Sequence, residues 1–573
     1  MVADVGESVA SASGGLVQLA KCSEAHSERD GQKVIGKKFG LTLDVEFTTL
    51  PKPPGVTYPG ELCMLKLKSW MSFIVSMHCV HLLCGLHQKD PPRERSILAS
   101  FWKRFRSVRP THEMWKLVDV GKLDLQRTIP LVCHGDEGRG KKRSGFLVIS
   151  WSSVLGFGTQ SANSTRTTHP YRQQRLNYIG STYLTRMVTS ALPKMARETA
   201  ALTEILRAIA DDANEMMKQG VVNSSGERFF TVCINIVGDW QWLAKCGSFT
   251  RSWSNCSKRP MTARSVPKGI CHLCMADTRG VPWENYKVYD VDNNVLPTWY
   301  PTMFTVEPWE TPPLLNAIPS VPGQEASFYA FDLFHSFHLG VGKILVASCL
   351  ALASELMAAT SVDNRLEELT SLYLVWAEEN KKSLFVTTFT RANLAWMDTS
   401  CYPNGQWSKG HVTTCVMDFF ISWSSKQDLS NHPLLKMGLE ACEEISECLK
   451  GLYHNDIWLS QAEALRISRH GMRFLEIYKT LACQSFRQGK ALFANMPKNH
   501  SLDHIFFGLY QSSLAAKWSL NPLICSMQVF EDFIGRCSRT SRRTSPQQAV
   551  RRTLERCLQA SYKAWYDEGF IRE

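Results

Sequence analysis

The sequence has no Gly-x-Ser-x-Gly elbow, no phosphate-binding Gly-x-x-x-x-Gly-Lys-Ser/Thr loop and no Gly-x-Gly-x-x-Gly turn. An unrelated α/β hydrolytic enzyme is therefore left without a motif to support it. No internal repeat is visible. Long apolar runs are scarce: Trp70 to Leu86 is uncharged but holds Ser72, Ser76, His78, His81 and Gly85, and Ile344 to Met357 is broken by Glu355. The first falls just under the roughly 18 apolar residues of a spanning helix, so a buried helix or strand pair is expected there, and the second reads as a core helix. The first ten residues carry acids where a secretory signal has a basic and then an apolar run. With an odd number of scattered cysteines, 19 in all, this predicts an intracellular, reduced protein whose cysteines are buried or bind metal.

What is present is globular. The 573 residues are 44% apolar and 21% charged, which excludes wholesale disorder, a collagen-like repeat and a coiled coil. The length predicts about three or four domain-sized units. Sixty-five basic against 53 acidic residues give a net charge of +12, which favours an acidic partner, but over this length the location of the charge matters more than its sum.

Residues 1–60 end in the Pro/Gly cluster PKPPGVTYPG and predict a poorly ordered tail with one hairpin around Leu41 to Thr49. Residues 61–127 show helical periodicity and the basic stretch KRFR (103–106), with no assignable role. Residues 128–324 alternate strand and helix signals. IPLVC (129–133) reads as a strand, HGDEGRGKKRSG as a turn, FLVISW (146–151) as a second strand, Lys194 to Lys218 as a long helix and FFTVCINIV (229–237) as a strand buried on both faces. That order predicts an α/β unit with a right-handed crossover. Residues 325–520 are almost wholly helical, an inserted or appended domain, and 521–573 close the chain with Arg-rich helices.

Asp136 and Asp239 each end a predicted strand. If the strands are parallel neighbours, both carboxylates emerge at one sheet edge, where open α/β sheets place their sites. Two carboxylates so close repel unless a divalent cation neutralises them, and oxygen ligands suit Mg²⁺ or Mn²⁺. An Asp after a strand is also a common turn or helix cap.

The order of these elements resembles the RNase H-like DDE transposases, nearest to the CACTA (En/Spm-type) class. The resemblance covers about residues 128–560. It implies an RNase H-like mixed sheet with a large helical insertion, thus an α/β plus α fold. Asp136 in HGDEGRG would be the first catalytic acid, Asp239 in VGDWQWL the second and Glu531 in MQVFEDFIGR the third, with Glu137 and Asp532 as rivals to the first and third. It further implies Asp332 and His335 of FDLFHSFHLG as a cofactor-binding pair. The chemistry would be metal-dependent phosphodiester cleavage and strand transfer on DNA, in the nucleus, with no small-molecule substrate and no membrane. A domesticated, non-catalytic binding module with the same fold is the alternative. Oligomeric state stays open.

Cys271-His272-Leu273-Cys274 has zinc-knuckle spacing, and thiolates select Zn²⁺. A single Cys-x-x-Cys is half a site, so Cys246, Cys256, His335 or His338 would complete it; the alternative is a turn over two packed thiols. Asp332 is also a natural helix cap. From Arg536 to Arg556 seven arginines (536, 539, 542, 543, 551, 552, 556) stand against Glu555 alone, a net +6. Ser541, Thr544 and Ser545 lie among them, a mix suited to phosphate contact. Lys141, Lys142 and Arg143 beside Asp136, and KRFR, would extend this DNA track or serve nuclear import. Trp240, Trp242 and Trp253 are expected mainly in the core.

Overall fold

The computed structural model describes residue 8 and residues 13–23, 27–164, 174–256 and 267–571. Part of the predicted N-terminal tail lies outside these residues. Strands β1 (Phe47–Leu50) and β2 (Leu62–Leu65) pair antiparallel, with Phe47 opposite Leu65, so the hairpin lies later than Leu41 to Thr49. Helix α1 (Leu67–Ser76) follows, burying Trp70, Met71, Ile74 and Val75, and the Trp70 indole donates to the Val188 carbonyl at 2.8 Å. The uncharged run Trp70 to Leu86 is thus a core helix, a turn through His78 at φ 54° and a short helix Val80–Leu83. Helix α2 (Pro91–Val108) starts from the Asp90 cap with proline at its first positions, where no N–H is missed.

The central sheet has five strands: β3 (Thr128–Arg139), β4 (Gly145–Ser153), β5 (Arg186–Pro193), β6 (Val221–Val222) and β7 (Arg228–Gly238), in the order β5-β4-β3-β7-β6. β3, β4 and β5 form an antiparallel meander. Helix α3 (Thr199–Lys218) then carries the chain across to β7, which runs parallel to β3. The fold is mixed α/β with extensive helix, as the sequence predicts at that coarse level. Two details differ. β5, RMVTSALP, is not anticipated because its alternating polar residues hide a strand whose first seven positions are all buried. The predicted turn after Cys133 is also strand: β3 keeps its pairing with β4 to Arg139, and only Gly140 to Ser144 turn.

Helix α4 (Trp240–Cys246) follows β7 directly. Beyond it, a π-helical segment (Phe334–Val341) runs into α5 (Gly342–Ser354), followed by α6 (Val362–Glu379), α7 (Gly410–Ser424), α8 (Pro433–Tyr453), α9 (Gln461–Arg487) and α10 (Pro497–Ala515). Strands β8 (Trp458–Ser460) and β9 (Trp518–Leu520) pair within this helical region. Phe334–Ser354 is the one described helix long and apolar enough to cross a membrane, and 89% of its apolar window is buried in the protein. The chain ends with α11 (Gln528–Arg542) and α12 (Ala549–Asp567), which return to pack on β3 and β5. None of the nineteen cysteines is in a disulfide.

Candidate metal centres

The register of β3 and β7 puts Gly135 opposite Gly238, so the next residues, Asp136 and Asp239, stand side by side at the same edge of two parallel strands. The indole of Trp242 lies over both glycines: a Cβ at either one would come within 2.2 Å of it. Asp239 caps α4, accepting the Trp242 N–H at 2.7 Å. Asp136 lies inside β3, paired with Val148, and is 6% exposed.

Glu531 reaches the same edge from α11, more than 290 residues after Asp239. The preceding residue fixes it there. Phe530 stacks on the buried His134 ring at 4.3 Å, and the Arg186 guanidinium lies over the Phe530 ring, 5.4 Å from its centroid. One ligand atom from each of Asp136, His335 and Glu531 lies within 4.8 Å of the others, a group that could hold a metal ion. Asp239 is close enough for its charge to act on Asp136.

The rivals separate by geometry. Glu137 points to the opposite face of β3, as strand alternation requires, and pairs with Arg197. Asp532, about 100° round the helix from Glu531, is exposed and pairs with Arg536 at 2.7 Å.

Asp332 is wholly buried and works as a hub. It accepts the N–H groups of Phe334 at 2.8 Å, His335 at 2.9 Å and Met527 at 3.0 Å, and binds His335 Nδ1 at 2.6 Å. The other ring nitrogen, Nε2, lies 3.2 Å from Glu531. Burial would lower the His335 pKa, but the Asp332 and Glu531 carboxylates override it and raise the imidazole to about 10. Burial, then the neighbouring Asp239 and Glu531 charges, push Asp136 well above the usual carboxylate range, with His335 pulling the other way. Burial also raises Asp239, against the Trp242 N–H bond. The imidazolium is thus the cation of an otherwise like-charged cluster. Lys498, whose stem lies against Gly340, is a neighbour that sequence reasoning missed: burial lowers its pKa, and the charges of Asp332 and Asp239 act to raise it.

A second cluster is built from Cys271, Cys274, His500 and His504, all four buried, with ligand atoms within 4.8 Å of one another. Cys271 Sγ is 3.4 Å from His504 Nε2, and Cys274 Sγ is 3.3 Å from His500 Nε2 and 3.4 Å from His504 Nε2. Burial holds the His504 imidazole neutral, with its pKa lowered to about 4. The partners expected for the Cys pair are elsewhere. Cys246 packs in α4, where its thiol meets the Leu243 carbonyl; Cys256 is half-buried; His335 belongs to the acidic centre; and His338 is buried among Phe334 and Phe337. Compared with protein-family models and with curated proteins, the chain matches none.

The basic segment divides. Arg551 pairs with Glu61 and Glu555 and covers Phe47, Arg552 pairs with Glu555, and Arg542 donates to the Arg139 carbonyl at 2.8 Å. Arg536, Arg539, Arg543 and Arg556 border a cleft. Ser541 and Thr544 are buried and bond to backbone carbonyls of α11, so they do not offer their hydroxyls to a phosphate. Lys141, Lys142 and Arg143 are exposed in the turn between β3 and β4. In KRFR, Arg104 lies over Trp518 and Arg106 pairs with Asp119, so both cover the body of the protein. Trp242 is core, Trp240 packs on Phe331, and Trp253 is 38% exposed.

Proposed function

We propose that this chain is an RNase H-like, transposase-type DNA-processing protein that cleaves and joins phosphodiesters with Mg²⁺ or Mn²⁺ at Asp136, Asp239 and Glu531. The observation that carries the reading is the convergence of Asp136 and Glu531, almost 400 residues apart in the chain, into one close group with His335, beside Asp239 at the same edge of the neighbouring strand. The antiparallel meander joined by a helix to a strand parallel with the first supports the RNase H-like assignment.

The donor set fits a hard divalent cation: closely spaced carboxylate oxygens whose mutual repulsion the His335 imidazolium only partly offsets. When bound, such ions activate the attacking oxygen and stabilise the leaving one. Asp136, which feels the charges of both Asp239 and Glu531, would serve as the shared ligand. Asp332 orients His335, and His335 holds Glu531 at the site. The decisive test is nicking of supercoiled plasmid with Mg²⁺ or Mn²⁺. Activity should vanish in Asp136→Ala and Glu531→Gln while the fold persists. Full activity in either variant would remove the assignment. Metal-independent DNA binding without any nicking would instead favour the non-catalytic binding module.

For the second cluster we propose Zn²⁺. With ordinary Zn–S and Zn–N lengths, a tetrahedral ion holds S and N about 3.6 Å apart. The separations of 3.3 to 3.4 Å are already near that value. Four protein ligands leave no open position, so the role is structural.

A further inference from the structure

Helix α11 has two working faces. Glu531, Ile534, Ser538 and Arg542 form one stripe along the end of β3: a Cβ on Gly138 would strike Ser538 and Ile534, and Arg542 reaches the Arg139 carbonyl. At 100° per residue, Arg536, Arg539 and Arg543 are turned roughly 80–140° away from Glu531. They line a cleft of about 770 Å³ together with Arg556 and Lys563 of α12, with the segment around Gln32 and Leu41 on its far side. Among the described lining residues the one acid is Asp567, and Lys563 engages it at 2.7 Å. Asp532 offsets Arg536, but no described ion pair offsets Arg539 or Arg543, both exposed. Tyr562 and Tyr566 add aromatic rings at the rim, Tyr566 being 44% exposed.

We infer that this cleft is a second nucleic-acid site, separate from the acidic centre, which grips the phosphodiester backbone of a DNA segment flanking the one to be cut. This rests on the DNA-processing reading above. The cleft is too large for a single phosphate and too strongly cationic for an apolar ligand. A guanidinium row spaced along two helices matches a ligand with repeating charge. The tyrosine rings offer a face on which an unpaired base at a strand end can stack. Arg542, Arg551 and Arg552 lie outside this cleft and take no part in the grip, whereas Arg556, which donates one N–H to the Thr540 carbonyl, still lines it.

The test is fluorescence anisotropy of the full chain with a labelled duplex in EDTA, titrated over a range of NaCl concentrations. Arg539→Gln/Arg543→Gln should weaken binding at least tenfold at low salt. It should also flatten the slope of log affinity against log salt by about 1.8, the loss of two phosphate contacts. Arg551→Gln/Arg552→Gln should lower the melting temperature and leave that slope as in the parent. A cleft variant that melts like the parent and binds with the parent's slope overturns the inference, with the DNA-processing reading intact. A parent chain that binds no duplex overturns both.

Discussion

The carboxylate of Asp332 accepts the backbone N–H of Met527 at 3.0 Å, across 195 residues of chain. Met527 is the cap of α11, so this bond fixes the start of the helix that carries Glu531, while the other oxygen of Asp332 holds His335. One buried side chain thereby registers the two segments that carry His335 and Glu531. Asp332→Ala would strand three N–H groups and a charged imidazole, and is expected to cost about 3–5 kcal/mol. Asp332→Asn keeps the shape and should fold, but loses the grip on His335. Its Mn²⁺ affinity, measured by calorimetry, should fall about 10- to 100-fold, the usual effect of losing a partner behind a ligand. Unaltered Mn²⁺ binding in the Asn variant would show that Asp332 has no part in the centre.

Purified protein should contain about one zinc per chain. Cys274→Ser and His500→Gln should each lose it, with a lower melting temperature, whereas Asp136→Ala should keep it. Zinc below about a tenth of an equivalent in protein made in zinc-supplemented medium would leave the cluster as packed thiols and imidazoles.

The two centres differ in how much of them can be read from the sequence. Asp136 and Asp239 are legible because each sits at the end of an apolar run, and the parallel pairing of β3 and β7 then fixes their relation. Glu531 is legible only through the family resemblance, since no local pattern distinguishes it from Asp532; the choice is made by Phe530 stacking on His134. His500 and His504 were missed, although two histidines four apart share one helix face, because the Cys pair they meet is more than 220 residues away. The arginines are legible in number but not in direction. Their density along the chain suggests one track, but helical rotation spreads them over several faces, and Arg542, Arg551 and Arg552 lie outside the cleft that Arg536, Arg539, Arg543 and Arg556 line.

Asp212 of α3 accepts the N–H groups of Leu67 and Lys68 at the start of α1. Burial, only partly opposed by those bonds, raises its pKa from 3.8 to about 6. The folded chain therefore holds this proton more tightly than the unfolded one. The stability it supplies is complete below about pH 4 and is lost as pH rises through 6. Two units correspond to on the order of 3 kcal/mol. Asp212→Asn cannot titrate, so its stability deficit relative to the parent should shrink by that order between pH 4 and 7.5 in urea unfolding. A deficit constant across that range would show that Asp212 has an ordinary pKa.

Gly135 and Gly238 test whether the acidic centre depends on backbone approach. Neither has a positive φ among the described glycines, so alanine is not excluded by conformation. What excludes it is Trp242, which a Cβ at either glycine would meet at 2.2 Å, and at Gly238 the Gly135 carbonyl as well, at 2.5 Å. The indole is buried and α4 cannot retreat without dragging its cap, Asp239, away from Asp136. Gly238→Ala is therefore expected to cost about 1–3 kcal/mol, as for other overpacked sites. It should also weaken divalent-cation binding, because the displaced residue, Asp239, is one of the proposed ligands. Trp242→Phe in the same chain removes part of the obstructing ring and should recover some of both losses. Thermal melts and Mn²⁺ calorimetry on the single and double variants measure this. If Gly238→Ala lowers stability but leaves Mn²⁺ affinity untouched, Asp239 lies outside the metal site and the carboxylate ligands reduce to Asp136 and Glu531.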